Sequence, residues 1–245
     1  MTLLQRMQKG YLYYEHGHAS KEEKSQEKKL DELRLECKEI LYDYNLTRPR
    51  EVKERGQLLK DLFHKTGKEV FIETPLHAAY GVNTSIGDCF YANFNLVLVD
   101  DGKITIGNHV MLAPNVTITT TGHPVWPEYR KKGTQFSLPI MIEDGVWIGS
   151  NVVILPGVTI GRNSVIGAGS VVTKDIPENV VAFGQPCKVV RTITRKDKFY
   201  YMKNAEVDEE FLEDFERILE LEAKQEEEKE KKEKRENTQA RHFLK

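Results

Sequence analysis

The sequence predicts a mainly β fold, a parallel β-helix with helices at both ends. Ile142, Ile148, Ile154, Ile160, Ile166 and Val172 recur every six residues through the later part of the chain's middle. Gly, Asn and Asp fall between them, where a chain has to turn. No helical pattern interrupts residues 67–190, so the strands there lack the crossovers that an ordinary α/β sheet needs.

The N-terminal 1–66 form a helical cap. Leu30, Leu33, Cys37, Ile40 and Leu41 recur at helical spacing between charged residues, and the run from Val52 to Phe63 follows Pro49, a good helix-start residue. Between these helices and the first residues, His16 to Lys29 reads as a polar, exposed link.

Residues 67–194 form the β-helix. Written out, the later units are IEDGVW, IGSNVV, ILPGVT, IGRNSV, IGAGSV and VTKDIP; an earlier tract gives IGDCFY, then IGNHVM, LAPNVT and ITTTGH. Apolar residues two apart share one face of a strand, so each unit supplies one short strand and one corner. Three units close a triangular coil of roughly 18 residues, and stacked coils bury a column of aliphatic side chains. The two tracts are out of phase, and a segment of about 119–139 protrudes between them. The period leaves handedness open.

Residues 195–245 form a C-terminal helix and charged tail. Phe211, Leu212, Phe215, Ile218 and Leu219 mark one apolar face, followed by the mixed-charge run EEEKEKKEKREN. That run reads as a solvated helix or frayed tail; the stripe is too short for several coiled-coil heptads.

Composition excludes other classes. The 245 residues carry 36 Lys+Arg against 38 Asp+Glu, a net charge of −2, so no generally basic nucleic-acid surface is expected. Cys37, Cys89 and Cys187 are far apart and make no CxxC, which argues against a disulfide framework or structural zinc and fits a reducing compartment. No signal peptide and no run of 18 apolar residues is present, so a cytoplasmic protein with no membrane partner is expected.

The segments YANFNLVLVDDGKITIG (91–107), APNVTITTTGHPV (113–125), VWIGSNVVILPGVTIG (146–161) and VIGAGSVVTKDIPENVVAFGQPCKVVR (165–191) resemble the maltose and galactoside O-acetyltransferases, within the hexapeptide-repeat acyltransferases. The resemblance covers about residues 5–200, and NFN…DD…TGHP is its most specific part. It implies a left-handed coil, a homotrimer and active sites between subunits. It also implies acetyl-CoA as cosubstrate with no metal, and a sugar such as maltose, glucose or a galactoside as acceptor.

Acetyl transfer to a hydroxyl needs a base, donors for the developing oxyanion and a grip on CoA. Histidine suits the first task, and His123 lies where the repeat breaks. The resemblance makes His123 the general base and assigns the acceptor to Asn93, Asp101 and Glu15, with Tyr91 beside them. Asn93 could equally stack in a polar ladder, and Asp101 could initiate the turn at Gly102. Two positions depart from the galactoside enzyme: Glu15 stands for an aspartate, and Ala79 for a hydrogen-bonding residue. For CoA the resemblance points to Ser150, Trp147, Ala168, Thr173, Lys174, Lys188 and Arg191. Cations at the last positions would pair with phosphates, though Lys188 replaces an arginine and loses its bidentate fork. His109 reads as a surface side chain. No Cys or Ser has a base partner, so direct attack is expected.

Serine O-acetyltransferase or amino-sugar N-acetyltransferase activity is the alternative, followed by a non-catalytic scaffold. A γ-class carbonic anhydrase would need three zinc-ligating histidines, and the spacing of His77, His109 and His123 does not match that set.

Overall fold

A computed structural model describes residues 1–202 and 205–224. One compact unit covers Met1–Ile193, and a second begins at Thr194.

The first unit is a triangular parallel solenoid. Its first face stacks Lys65–Thr66, Thr84–Ile86, Ile104–Ile106, Ile140–Ile142 and Thr159–Ile160. The second runs from Phe71–Ile72 to Val180–Phe183, with Lys188–Thr192 added antiparallel at its end. The third runs from Leu76–Ala78 to Val171–Val172. Alternate residues of the short strands point inward, and Ile142, Ile148, Ile154, Ile160, Ile166 and Val172 have no solvent exposure. The six-residue period therefore marks the core column.

Coil length is not uniform, and this explains the phase shift between the tracts. Trp147 pairs with Val165, a step of 18 residues, but Phe71 pairs with Tyr91 and Tyr91 with Met111, steps of 20. The extra pair falls at one corner, between the third and first faces. Ala92 and Leu98 are six residues apart, whereas Leu98 to Ile106 and Ala78 to Ile86 are each eight. At the same corner of the next coil, 24 residues separate Ile118 from Ile142.

The corner between the second and third faces stays regular. Asn95, Asn115 and Asn151 occupy it with φ of 61°, 61° and 58°, a left-handed conformation that asparagine tolerates. Their amides form a ladder, Asn95 Nδ2 donating to Asn115 (2.9 Å) and Asn115 Nδ2 to Asn151 (3.1 Å).

Three helices close the solenoid's open end: α1 (Leu3–Gln8), α2 (Lys21–Leu46) and α3 (Val52–Leu62). The α2 face of Leu30, Cys37, Leu41 and Tyr44 is buried. Asn45 bonds both backbone groups of Leu76 (2.8 and 2.9 Å), and the Tyr44 hydroxyl donates to Ile72 O (2.6 Å). Edge groups of the first coil thus gain partners. Sequence reading treated His16 to Lys29 as an exposed link, but α2 starts at Lys21. Ser20 accepts from Glu23 N–H as N-cap, and the Glu/Lys-rich first turns are strong helix formers, which outweighs their lack of an apolar face.

In the second unit a 3₁₀ turn, Arg195–Lys198, precedes a helix over 209–224. Its Phe211, Phe215, Ile218 and Leu219 are exposed. The run EEEKEKKEKREN lies outside the described residues. Among the described residues no helix is long and apolar enough to cross a membrane.

Candidate active site

The irregular corner gathers polar side chains from segments far apart in the chain. The extra residues of two successive coils place Tyr80 on one level and Asp100 and Asp101 on the next. Asp100 has no solvent exposure; its carboxylate accepts from Tyr80 N–H (2.8 Å) and Thr84 Oγ1 (3.0 Å), tying the two levels together. Burial holds this carboxyl above its ordinary value, with the backbone donors Tyr80 and Gly81 pulling it back.

Arg34 of α2 reaches into this corner. Its Nη1 donates to Glu15 Oε2 (2.6 Å), and its Nη2 to Glu15 Oε1 and to Asp101 Oδ1 (3.2 Å). The guanidinium lies over the Tyr80 ring, 4.7 Å from its centre, and the Tyr80 hydroxyl donates to Glu15 (3.3 Å). Burial works against the Arg34 charge, but the Glu15 hydrogen bond and the neighbouring negative groups outweigh it and raise its proton affinity. Asp101 is held above the ordinary aspartate range, first by burial; the charge of Glu15 adds to this, against the pull of Thr121 and Arg34. Two carboxylates share one guanidinium, so the cluster keeps spare hydrogen-bond acceptors.

The protruding segment joins this cluster at its base. Tyr13 and Gln135 exchange both backbone hydrogen bonds (2.9 and 2.8 Å), and Gln135 Nε2 donates to the Tyr13 hydroxyl and to Glu15 (both 3.0 Å). Burial pushes the Tyr13 hydroxyl up to about 12. Strand Thr121–Gly122 pairs antiparallel with Phe136–Ser137, and a short helix, α4 (Pro127–Arg130), forms the tip. His123 follows the first of these strands and is exposed; its Nδ1 lies 2.8 Å from Thr134 O, the residue before Gln135. A carbonyl can only accept, so Nδ1 is the donor here, and in the neutral ring this leaves the lone pair on Nε2.

The remaining expected residues stand elsewhere on the same chain. Asn93, Ser150 and Ala168 occupy the corner between the second and third faces, one above another through the bonds Asn93 N–H to Leu112 O, Ala113 N–H to Ile148 O and Gly149 N–H to Ile166 O. Tyr91 and Trp147 project outward from the second face beside it; Tyr91 stacks on Phe71 with ring centres 6.1 Å apart. Thr173 and Lys174 follow the last strand of the third face, and Lys188 and Arg191 lie on the antiparallel strand. Within one chain, therefore, Glu15 and Asp101 meet at one corner, from which the segment carrying His123 protrudes, while Asn93, Ser150 and Ala168 line another. Ala79 is half-buried against the Tyr80 cluster, and His109 is exposed with φ 54°.

Sequence reading missed Arg34, Tyr80, Gln135 and Asp100. The eight-residue corner steps mark the place of Tyr80 and Asp100, but no spacing ties Arg34 or Gln135 to Asp101, because long-range packing brings them there. Among the described residues no group of three His, Cys, Asp or Glu side chains is placed to hold a metal ion.

The solenoid with its protruding histidine segment defines the class of hexapeptide acyltransferases, and comparison with known proteins agrees. Residues 139–174 match the family described as bacterial transferase hexapeptide (six repeats), and residues 6–67 match the maltose acetyltransferase hexapeptide capping motif. A galactoside O-acetyltransferase of Escherichia coli K12 is 55% identical over 73% of this chain and 88% of its own length. One from Lactococcus lactis is 46% identical over 76% and 91%. Two solved structures superpose over most of the chain. A galactoside acetyltransferase in complex with coenzyme A has a TM-score of 0.78 and 49% identity, covering 85% of this chain and 99% of that one. A maltose O-acetyltransferase of Clostridium difficile 630 has a TM-score of 0.73 and 42% identity, covering 80% and 99%. The chain belongs to the maltose and galactoside O-acetyltransferase family, with the left-handed parallel β-helix of that family.

Proposed function

We propose that this acetyl-CoA-dependent O-acetyltransferase acylates a hydroxyl of a neutral sugar, with His123 as general base. The observation that carries the reading is the His123 Nδ1 contact with Thr134 O (2.8 Å), which fixes the tautomer and leaves Nε2 ready to take a proton. The Glu15–Arg34–Asp101 cluster supports a polyhydroxyl acceptor, because its surplus carboxylate oxygens accept from hydroxyls and repel an anionic acceptor. The Ala79 side chain offers no hydrogen bond where the family resemblance places an acceptor contact, a change typically of about 0.5–1.5 kcal/mol.

Acetyl-CoA supplies an acyl group activated as a thioester. The residues here fit such a ligand: Ala168 presents a small side chain at an open corner, and Trp147, Lys174 and Lys188 are exposed. The Ser150 N–H is the donor for charge developing on the acyl oxygen, Trp147 and Ala168 flank the arm, and Thr173, Lys174, Lys188 and Arg191 meet the phosphates. His123 takes the acceptor proton as the oxygen attacks, and passes it to the thiolate that leaves; the acyl carbon–sulfur bond breaks as the carbon–oxygen bond forms. The two groups of residues stand at different corners of one chain, which supports a homotrimer in which each site joins corners of neighbouring copies.

The test is release of CoA thiol from acetyl-CoA against a panel of maltose, glucose, galactosides, amino sugars and serine. His123→Ala is expected to lower kcat by ~10²–10⁴-fold while acetyl-CoA still binds. Near-normal turnover in that variant would falsify the base assignment, and preference for serine or an amine would replace the sugar.

A further inference from the structure

We propose that a cavity beneath α1 is a second binding site, for a small amphiphile with an apolar body and one anionic head. The cavity has a volume of about 590 Å³, within the range of small-molecule sites. Its two walls differ in chemistry. Leu4 and Met7 of α1, and Leu30 and Leu33 of α2, form a helical wall; each pair is three residues apart, so both members face the same way.

The opposite wall is the leading edge of three neighbouring coils. His64 N–H bonds Thr84 O, Thr84 pairs with Ile104, and Ile104 N–H bonds Asn83 O. His64 and Lys103 therefore stand on either side of the Asn83–Ser85 segment, one strand spacing away each, roughly 5 Å. Lys29 adds a third cationic or protonatable group from α2. The side chains of Lys29, His64 and Lys103 have no hydrogen-bond or ion-pair partner among the described residues.

Among the described residues of the lining Asp101 is the one carboxylate; it is bonded through Oδ1 by Arg34 (3.2 Å) and Gln135 (3.5 Å) and makes no ion pair with Lys29 or Lys103. The cavity shares Asp101 and Tyr80 with the polar cluster proposed for the acetyl acceptor, whereas Glu15, Arg34 and Asn93 lie outside its lining. An alkyl or aryl body would lose water against Leu4, Met7, Leu30 and Leu33, while a carboxylate would meet Lys103, His64 and Lys29.

Calorimetric titration of the full chain with sodium decanoate tests this. Saturable binding of one decanoate per chain is expected. Hexanoate should bind at least about tenfold more weakly for its missing methylenes, and acetate not measurably. Decanol should bind at least about tenfold more weakly than decanoate, since it lacks the charge. Lys103→Glu, at an exposed residue, should weaken decanoate by about tenfold or more with the melting temperature unchanged, and Leu33→Trp should fill the cavity and abolish binding. No saturable heat with decanoate overturns the site. Equal affinity in Lys103→Glu and the parent chain overturns its location, and decanol binding as tightly as decanoate overturns the anionic head. If Leu33→Trp fails to fold, the Lys103→Glu arm decides alone.

Discussion

Along the solenoid wall, Ile148 stacks between Leu112 and Ile166 in register, and the next turns repeat the arrangement with like side chains. At the corner between the third and first faces nothing repeats: Glu15 from a loop, Arg34 from a helix, Asp101 from a coil and Gln135 from the protruding segment meet through charge-assisted hydrogen bonds. The wall gains its stability from identical neighbours and needs no single residue to be unusual. The corner gains its chemistry from residues that the period excludes.

Two adjacent residues break that comparison most sharply. Ile148 is fully buried and Trp147 exposed, although one peptide bond joins them. Ile148→Ala should cost ~2–5 kcal/mol of stability through lost burial and a residual cavity. Trp147→Ala should stay within about 0.5 kcal/mol and instead raise the Michaelis constant for acetyl-CoA. Denaturant unfolding of both variants, with initial rates, checks the pair; similar stability losses would mean that the outward face of the solenoid is a packing surface. A backbone variant sharpens the same point. A Cβ at Gly149 would lie 2.6 Å from Ala168 N and 2.9 Å from Ala168 Cα, so Gly149→Ala should push the coils apart beside the residue proposed to meet the CoA arm.

Arg34 tests the corner. Among the described residues it is the one cation shared by Glu15 and Asp101, and its loss leaves two carboxylates facing each other in a half-buried site. Arg34→Ala should lower kcat/KM for the acceptor by roughly 30-fold, about 2 kcal/mol, with little change in the Michaelis constant for acetyl-CoA. Arg34→Lys keeps charge without the fork and should fall between the two. An equal loss for both substrates would show that Arg34 holds the cap rather than the acceptor corner.

How far the sequence could be read follows the same division. The solenoid was legible because a period of six needs only Ile and Val at regular steps with turn-forming residues between. His123 stands out as the candidate base because it sits where the period breaks and because TTTGHP resembles a known motif. The coil lengths were not: two residues added at a corner leave each strand's pattern intact and appear only as a change of phase. Arg34 was hidden for a different reason. It lies on the flank of a charged helix, among Lys28, Lys29 and Lys38, and only the docking of α2 on the first coil distinguishes it from them.

The smallest expected effect concerns pH. Asp101 is held above the ordinary carboxyl range, chiefly by burial and then by the charge of Glu15. As pH falls, such a group takes up its proton earlier than an exposed aspartate, whose value is near 3.9. Protonation would turn an ionised acceptor of the proposed substrate hydroxyl into a weaker neutral one, a change worth about fivefold in binding. The Michaelis constant for the acceptor should therefore rise in mild acid, above the pH where ordinary aspartates titrate, while that for acetyl-CoA stays level. For stability the sign is opposite. The folded chain binds this proton more tightly than the unfolded chain, so the Asp101 contribution falls as pH rises from the ordinary value through the raised one and is flat above it. Asp101→Asn removes both dependences together. It should show a higher acceptor constant at neutral pH that no longer changes in mild acid; persistence of the acid rise would overturn the Asp101 assignment.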